Sequence, residues 1–263
     1  MALKLTVTLL PHPRTCLGLL GHPLSHSFSP SYWAGRFAAN PGLAGYSYEL
    51  FDRGDLADFD FKAEPNLLGF NVTVPYKQAI MPWLDTLTPE AETIGAVNTV
   101  VHTAGGWVGH NTDAAGFTRA LLAWHVAPLP SKALVLGTGG SARAVVYALA
   151  KLGVEAMCVS RTARPKQLTY AQLNADVLAQ YTLVVNATPA GMHPHPDAMP
   201  AIEAAWLTPR HAVFDLIYNP AQTRLLAAAN AQGASTLNGL PMLIAQAEAA
   251  GDVWFGHNWQ KAG

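Results

Sequence analysis

The sequence is poor in charge and in cysteine. Charged residues make up 13% of its 263 residues, about half of the usual ~25%, and 16 Lys and Arg nearly balance 17 Asp and Glu. Without a basic excess the chain has little with which to neutralise a nucleic-acid backbone, so we expect no nucleic-acid partner. Two cysteines, Cys16 and Cys158, exclude a disulfide framework and an all-cysteine zinc site. Both fall in predicted buried strands and are expected to be free thiols.

Long apolar runs are also missing, although half of the residues are hydrophobic. A membrane-spanning helix needs about 18 apolar residues in a row, and the longest stretches, such as Ala144–Ala150, are far shorter. Met1–Leu10 lacks the small-residue cleavage site of a signal peptide. The apolar half of the composition excludes a disordered chain. We therefore expect a folded cytoplasmic protein that uses no membrane.

Predicted strands and helices alternate along the chain, which is typical of an α/β fold with a parallel sheet and helices on both faces. The first half contains strands at Thr15–Leu20, Tyr46–Phe51, Leu67–Val74, Ala96–His102 and Gly106–His110, and helices at Ser31–Ala39 and Tyr76–Leu84. The second half contains strands at Ala133–Leu136, Glu155–Ser160, Leu183–Asn186, Ala212–Leu216 and Ser235–Leu237, and helices at Ala115–His125, Ser141–Leu152, Thr223–Gln232 and Leu240–Ala250.

A glycine-rich loop, Gly137-Thr138-Gly139-Gly140-Ser141-Ala142, follows a predicted buried strand and opens a helix. This is the context of a dinucleotide-binding G-x-G-x-x-A loop, in which the glycines allow a tight turn and close approach of a pyrophosphate. The helix N-terminus adds free N–H groups for the phosphates. A plain strand–turn–helix corner is the alternative.

The end of the next predicted strand is basic instead of acidic. An NAD site usually has an acidic residue there for the ribose 2′-hydroxyl, but this turn contains Arg161, Arg164 and Lys166. An arginine fork suits a 2′-phosphate. The sequence therefore favours NADP over NAD, with a solvated basic turn as the alternative.

Polar residues interrupt or cap the apolar strands of the first half. Ser27 and Ser29 precede a predicted helix and suit a carboxylate, or cap that helix. Lys77 lies in the first turn of a predicted helix, against the macrodipole, which distinguishes it from an ordinary surface lysine. Asn98 lies inside an apolar strand, and Asp113 begins a helix, where N-capping is the alternative.

We expect no metal site. His193 and His195 alternate with prolines and lack evident further ligands, and His22 and His26 flank a proline turn instead of sharing a helix face.

Together these motifs resemble the shikimate dehydrogenase family. Nine segments occur in the family's order and span nearly the whole chain, about His22 to Trp254: H-S-F-S-P (26–30), N-V-T-V-P-Y-K (71–77), G-A-V-N-T (95–99), N-T-D (111–113), G-T-G-G-S-A-R-A (137–144), S-R-T (160–162), N-A-T-P-A-G-M (186–192), D-L-I-Y-N-P (215–220) and N-G-L-P-M-L-I-A-Q (238–246). The family often has Asn where this chain has Ser160, and His and Asn near Ser31–Trp33.

The resemblance implies a substrate domain of α/β type (residues 1–113 with 240–263), a Rossmann-type doubly wound NADP domain (114–239), and a cleft between them. Carried over by motif, the catalytic residues are Lys77 and Asp113. The implied substrate-binding residues are Ser27, Ser29 and Tyr218 on the carboxylate side, and Thr73, Asn98, Asp113 and Gln246 on the ring hydroxyls. The implied cofactor-binding residues are Gly137, Thr138, Gly139, Gly140, Ser141, Ser160, Arg161, Thr162, Arg164, Leu216 and Gly239.

The implied activity is the reversible NADPH-dependent reduction of 3-dehydroshikimate to shikimate in aromatic amino-acid biosynthesis, by a monomer or homodimer. Lys77 would donate and accept the proton, and Asp113 would orient it. Three alternatives stay open: an NAD-dependent quinate/shikimate dehydrogenase or an aminoshikimate-type relative, a methylene-tetrahydrofolate dehydrogenase of similar fold, and a non-catalytic ligand-sensing module. The Ser27/Ser29 pair and the basic turn argue against the quinate enzyme, and the same serines argue against the methylene-tetrahydrofolate dehydrogenase. An intact Lys77 with Asp113 argues against the sensing module.

Overall fold

The chain folds around two six-stranded sheets with helices packed against them. A computed structural model describes residues 15–25, 27–124, 128–257 and 259–261, and the predicted α/β class is confirmed. No helix within these ranges has both the length and the apolar character needed to cross a bilayer. The region before residue 15, His26 and His125 lie outside the described residues, and with them the predictions for Met1–Leu10 and for the end of the helix Ala115–His125.

The first sheet is mixed and has the strand order β2-β1-β3-β5-β6-β4. Its strands are β1 (Thr15–Gly21), β2 (Tyr46–Asp52), β3 (Leu67–Val72), β4 (Thr86–Leu87), β5 (Thr99–Thr103) and β6 (Gly106–His110), and its helices are α1 (Ser29–Ala39) and α2 (Pro89–Ile94). Aromatic clusters fill both faces, with Phe59, Phe70 and Trp107 in one and Trp33 and Trp254 in the other.

The arrangement of the first sheet places several loops at one edge. β1 and β3 are parallel, whereas β5 runs antiparallel to both of its neighbours, β3 and β6, with Asn71 opposite Thr99 and Thr99 opposite His110. The carboxyl ends of β1, β3 and β6 and the start of β5 therefore meet at this edge. The segments that follow or precede these strands contain Ser27, Thr73, Lys77, Asn98 and Asp113.

The second sheet is parallel throughout and has the order β12-β11-β10-β7-β8-β9. Its strands are β7 (Lys132–Leu136), β8 (Glu155–Ser160), β9 (Leu168–Thr169), β10 (Leu183–Asn186), β11 (Ala212–Asp215) and β12 (Ser235–Leu237), with helices α4 (Gly140–Lys151), α5 (Ala175–Gln180) and α6 (Arg224–Ala231). The chain proceeds from β7 to one side through β8 and to the other through β10, so a switch point lies beside β7. The glycine-rich loop follows β7.

Two long helices, α3 (Asp113–Ala123) and α7 (Leu240–Phe255), pack along each other between the sheets. Ala114, Phe117 and Met242 belong to the core of the second sheet, whereas Ala250 and Trp254 belong to that of the first. The final helix thus reaches back to the first sheet. The division into 1–113 with 240–263 and 114–239 stays a prediction.

The helix predicted at Tyr76–Leu84 is wrong. The chain instead forms turns from Val74 onward and a short 3-10 helix at Met81–Trp83. Pro82 has no N–H to donate to the Gln78 carbonyl, so an α-helix cannot continue through it. The bonds on either side, from the Met81 N–H to the Gln78 carbonyl and from the Trp83 N–H to the Ile80 carbonyl, span three residues. The reason given for Lys77, a position at a helix start, therefore fails, although the residue itself lies in the site.

Other predicted elements differ only at their ends. The strand predicted from Ala96 begins at Thr99 because Gly95 ends α2 in the left-handed conformation (φ +68°). β3 ends at Val72, two residues before the predicted end at Val74. Cys16 and Cys158 lie in β1 and β8 as free thiols that are half-buried instead of buried, and burial raises the pKa of each.

Candidate active site

A buried ion pair joins Lys77, in the turn after β3, to Asp113, the first residue of α3. Lys77 Nζ lies 2.6 Å from Asp113 Oδ2, and the two side chains are 14% and 7% exposed. Asp113 does not act as the N-cap of α3, because Thr112 occupies that position. A carboxylate in this place holds an ammonium group at a defined point in a poorly solvated site.

Asn98 fixes the second oxygen of the Asp113 carboxylate. Its Nδ2 lies 2.9 Å from Asp113 Oδ1, 2.9 Å from Thr112 Oγ1 and 3.3 Å from Gln246 Oε1, and its Oδ1 accepts from the Thr112 N–H at 2.6 Å. Asn98 is 2% exposed. The structure therefore brings together four of the predicted residues, Lys77, Asn98, Asp113 and Gln246, in one hydrogen-bonded group.

The two predicted serines lie at the start of α1, and each has a local partner. Ser27 Oγ accepts from the Ser29 N–H at 3.3 Å. Phe28 occupies the N-cap position of α1 without a side-chain cap bond, so neither serine is the N-cap. Burial raises the pKa of Tyr48 far above its usual range, and a hydrogen bond with the Ser29 side chain opposes that rise. Tyr48 donates in turn to Asn71 Oδ1 at 2.8 Å.

Tyr218 reaches this corner from the second half of the chain. Its ring centroid lies 6.2 Å from that of Phe28, and burial raises its pKa, against the effect of a hydrogen bond with the Phe28 backbone. Thr73 directly follows β3 and lies against the end of β1. Its N–H donates to the Leu20 carbonyl, and its methyl group occupies the space beside Gly21.

The glycine-rich loop has the form that a pyrophosphate requires. Gly137 adopts φ +112° and lies close to the Ala187 carbonyl, so a side chain there would be strained. Gly139 is the N-cap of α4, so no side chain caps this helix. The space where a Cβ of residue 139 would lie is open. The N-terminus of α4 can therefore be approached by a phosphate, and the residues fit a dinucleotide.

The same loop meets the ion pair. A Cβ on Gly140 would lie 3.2 Å from Lys77 Cβ, and Ser141 Oγ lies 3.3 Å from Lys77 Nζ. Predicted cofactor-binding residues and the predicted proton donor are thus in direct contact, with the N-terminus of α4 beside the ammonium group.

The basic turn lies at the carboxyl end of β8. Arg161, Thr162, Arg164 and Lys166 are exposed, whereas Ser160 is buried and its Oγ accepts from the Thr162 N–H at 3.3 Å. Exposed guanidinium groups beside the switch-point edge are accessible to a phosphate on a bound nucleotide. The arrangement agrees equally with a solvated basic turn, so their roles stay predictions.

A third group of polar residues had no role assigned from the sequence. Asp215, which is fully buried, accepts from the Asn186 amide at 2.9 Å, the Ile217 N–H at 3.0 Å and the Thr223 hydroxyl at 2.6 Å. Asn186 and Asp215 end the adjacent parallel strands β10 and β11. A polar residue at the end of an otherwise apolar strand was the signal that could have identified them.

This network fixes the segment Leu216–Tyr218, which we call the 216–218 strap. The strap is held on its other side by Gly239, whose N–H donates to the Ile217 carbonyl and whose missing side chain leaves room for the Leu216 carbonyl. Leu216 and Gly239 were predicted on the cofactor side and Tyr218 on the substrate side. The strap connects the two.

Chemically, the site offers one ammonium group next to a carboxylate, a set of amide and hydroxyl groups, and an open helix N-terminus. These are the components for moving a proton beside a bound dinucleotide. Within the described residues no cluster of three or more His, Cys, Asp or Glu side chains could hold a metal ion.

Comparisons with known proteins agree on one family. The family model described as the shikimate dehydrogenase substrate binding domain matches residues 19–100. The shikimate dehydrogenase (NADP(+)) of Carboxydothermus hydrogenoformans is 40% identical over 255 residues, which cover 91% of each chain.

Two solved structures bear on the ligands. The shikimate 5-dehydrogenase of Thermus thermophilus, in complex with NADP(H) and shikimate, is 36% identical, with a TM-score of 0.82 and coverage of 94% of this chain and 97% of that one. A quinate dehydrogenase from Corynebacterium glutamicum in complex with NAD is 33% identical, with a TM-score of 0.79 and coverage of 95% and 98%.

Proposed function

The chain belongs to the shikimate dehydrogenase family, as its motifs predicted, and we propose that it catalyses the reversible NADPH-dependent reduction of 3-dehydroshikimate to shikimate. The observation that carries the proposal is the Lys77–Asp113 pair, buried and in contact with the glycine-rich loop. This reaction is a step of aromatic amino-acid biosynthesis. The cytoplasmic location and the monomeric or dimeric state stay predictions.

The proton chemistry rests on Lys77. When bound, NADPH supplies the hydride that reduces the ring carbonyl. In the reduction, the Lys77 ammonium polarises the carbonyl oxygen and gives it a proton. In the oxidation, the neutral amine removes the proton from the substrate hydroxyl. Asp113 orients Lys77 and accepts a hydrogen bond from the substrate.

The substrate residues divide by chemistry. We assign the carboxylate to the hydroxyls of Ser27, Ser29 and Tyr218. The two serines lie at the start of α1, and the Tyr218 ring approaches the Phe28 ring there. Thr73, Asn98 and Gln246 supply neutral polar groups for the ring hydroxyls. Asn98 and Gln246 support this assignment because they share a hydrogen bond next to Asp113.

The cofactor residues follow from the second sheet. Gly137, Thr138, Gly139, Gly140 and Ser141 would surround the pyrophosphate, and Leu216 with Gly239 would border the nicotinamide. Ser160, Arg161, Thr162 and Arg164 would hold the 2′-phosphate. The lack of an acidic residue at the end of β8 supports NADP over NAD. The proposed division, 1–113 with 240–263 and 114–239, places the two sheets in separate domains with the site in the cleft between them.

A matrix of initial rates tests the function. Shikimate and quinate are each oxidised with NADP and with NAD, and NADPH consumption is followed at its absorbance band with 3-dehydroshikimate. We expect the highest kcat/KM for shikimate with NADP. A higher value for quinate with NAD would replace the proposal by the quinate alternative, and no turnover with any pair would favour a ligand-sensing module.

A further inference from the structure

We propose that Ser141 is a positioning residue for Lys77: its hydroxyl, carried by the cofactor-binding loop, holds the proton-donating side chain in place. The inference rests on the proposed function, because it presumes that Lys77 transfers the proton. It adds a role for Ser141 that a place in the pyrophosphate cradle does not include. The residue would link the loop that receives the cofactor to the group that protonates the substrate.

The contact itself is specific. Lys77 Nζ has three hydrogens, of which one points to Asp113 Oδ2 at 2.6 Å and a second to Ser141 Oγ at 3.3 Å. The Lys77 side chain is only 14% exposed, so these protein oxygens replace much of the water that an ammonium group would otherwise bind. With two hydrogens held at fixed points, the third has a defined direction in which to meet a substrate oxygen.

Ser141 is a neutral hydrogen-bond acceptor for Lys77, contributed by the second half of the chain. The charged and titratable groups around Lys77 have other positions or partners. Asp113, on α3, is the anion at Lys77, and its other oxygen is already bound by Asn98. Arg143, on α4, has its guanidinium beside Gly95 at the end of α2. His110, at the end of β6, is half-buried, and burial lowers its pKa, which favours its neutral form.

The backbone around Lys77 reinforces the arrangement. The Lys77 carbonyl accepts from the Val97 N–H at 2.7 Å. The Lys77 side chain packs against Gly140, where an added Cβ would lie 3.2 Å from Lys77 Cβ and 3.3 Å from Lys77 Cδ. Ser141 follows Gly140 and is therefore the first side chain of α4 that can reach the amine. A hydroxyl at this position, in contrast to a methyl group, can accept from Nζ.

Removing the hydroxyl should change the labelling of Lys77 by an amine reagent in a known direction. The Ser141 oxygen accepts an N–H of the ammonium group and so favours that form, and Ser141→Ala should therefore make Lys77 reactive at lower pH than in the wild type. Water replaces part of the lost hydrogen bond, which limits the displacement. Ser141→Thr keeps a hydroxyl and should restore the original behaviour.

The direct test uses the free protein. Trace acetylation with acetic anhydride across a pH series, followed by mass spectrometry of the peptide with Lys77, reports the fraction of neutral amine. The exposed Lys151 at the far end of α4 is the internal reference. Ser141→Ala should move the Lys77 curve to lower pH relative to Lys151, and Ser141→Thr should not. Thr138→Val is the matched control, because it removes a hydroxyl from the same loop but not the Lys77 contact.

Kinetics provide the second readout. In Ser141→Ala, kcat should fall about 3- to 10-fold while the shikimate KM stays within about twofold, since Ser141 would act on the proton donor and not on the substrate. The rise of shikimate oxidation with pH should begin at lower pH. If Ser141→Ala does not fold, Ser141→Cys, whose thiol is a weaker acceptor, should displace the labelling curve in the same direction by less.

One outcome overturns the inference: an unchanged Lys77 labelling curve together with a raised NADP dissociation constant, which would confine Ser141 to the pyrophosphate. This result is distinct from a failure of the proposed function, which would be seen in the wild type as absent shikimate oxidation or in Lys77→Met as retained turnover. The labelling of the free protein needs neither substrate nor cofactor and remains interpretable in both cases.

Discussion

At the scale of single residues, Lys77 is the group on which the chemistry depends. It lies in a pair with Asp113 that is almost excluded from solvent, and removing one member of such a pair leaves the other charge uncompensated. A substitution at Lys77 therefore affects both the proton transfer and the local electrostatics, and the two effects must be separated by measuring binding as well as turnover.

Replacing Lys77 by methionine should lower kcat by about 10²- to 10⁴-fold, the usual contribution of a proton-transfer group, with a smaller change in shikimate affinity. Initial rates and calorimetric binding of shikimate measure the two quantities. Lys62→Met is the control, because Lys62 forms an exposed pair with Asp85 outside the site. A variant at Lys77 with near-normal kcat would remove Lys77 from the role of proton donor.

Arg161 is the residue that we expect to read the 2′-phosphate. Arg161→Ala should raise the KM for NADP by at least about tenfold, since a charge-assisted contact to a phosphate is lost, and change the KM for NAD much less. Initial rates with both cofactors measure the ratio. Arg210→Ala, which removes an equally exposed cation from a turn before β11, controls for net charge. Equal effects on both cofactors would contradict the assignment.

At the scale of elements, the strands of the second sheet end in polar residues that organise the loops beyond them. Asp215 receives three hydrogen bonds, and one of them comes from the backbone of Ile217 within the 216–218 strap. Burial raises the pKa of Asp215, and its bonds from Thr223, Ile217 and Asn186 act in the opposite direction. The geometry of the strap therefore depends on an acceptor at this position.

Asp215→Asn should disturb the strap, because one donor would face the new amide NH₂. We expect about 1–3 kcal/mol of lost stability and raised KM values for NADP and shikimate, measured by urea unfolding and initial rates. Thr223→Val removes only one of the three donors and should have a smaller effect. Unchanged KM values in Asp215→Asn would show that the strap keeps its place without this carboxylate.

The same variant has a pH signature. Because the folded-state pKa of Asp215 is raised, the folded protein holds this proton more tightly than the unfolded chain. The carboxyl's contribution to stability therefore declines as pH rises from its ordinary value of about 3.9 to the higher folded value. The advantage of the wild type over Asp215→Asn in unfolding free energy should be largest in acid and shrink towards neutral pH. An advantage that grows with pH would contradict the raised pKa.

The elements also show what sequence could and could not supply. Buried apolar strands such as β7 and β10 were predicted nearly to the residue, because burial on both faces leaves a clear pattern. The segment at Tyr76–Leu84 has a helical composition, and Pro82 decides against it. The contacts of Ser141 with Lys77 and of Tyr218 with Phe28 join residues far apart in the chain, so they depend on how the halves pack, which no local pattern encodes.

At the scale of the molecule, the site exists because two sheets are brought together by α3 and α7. Asp113 opens α3 and Gln246 lies in the middle of α7, so the distance between these helices sets the distance between two site residues. The helices approach closely at Gly116, where a Cβ would lie 2.7 Å from Gln246 Cβ, 2.8 Å from Gln246 N and 2.9 Å from the Met242 carbonyl oxygen. Two of these three contacts are with backbone, which cannot rotate away.

Gly116→Ala should therefore separate α3 from α7 and move Gln246 away from Asn98. Overpacking costs about 1–3 kcal/mol, and the gain from alanine in a helix offsets about 0.5–1, so we expect a net loss of about 1–2 kcal/mol by urea unfolding. The KM for shikimate should rise about 3- to 10-fold, and the KM for NADP should change less, because the added methyl group would press directly on Gln246, which is assigned to the substrate. Gly35→Ala, in the exposed part of α1 with open space around it, should leave both KM values unchanged and unfold no more easily than the wild type. If Gly116→Ala matched Gly35→Ala in both measurements, α7 would be free to shift on α3, and the placement of Gln246 would have to come from Asn98 alone.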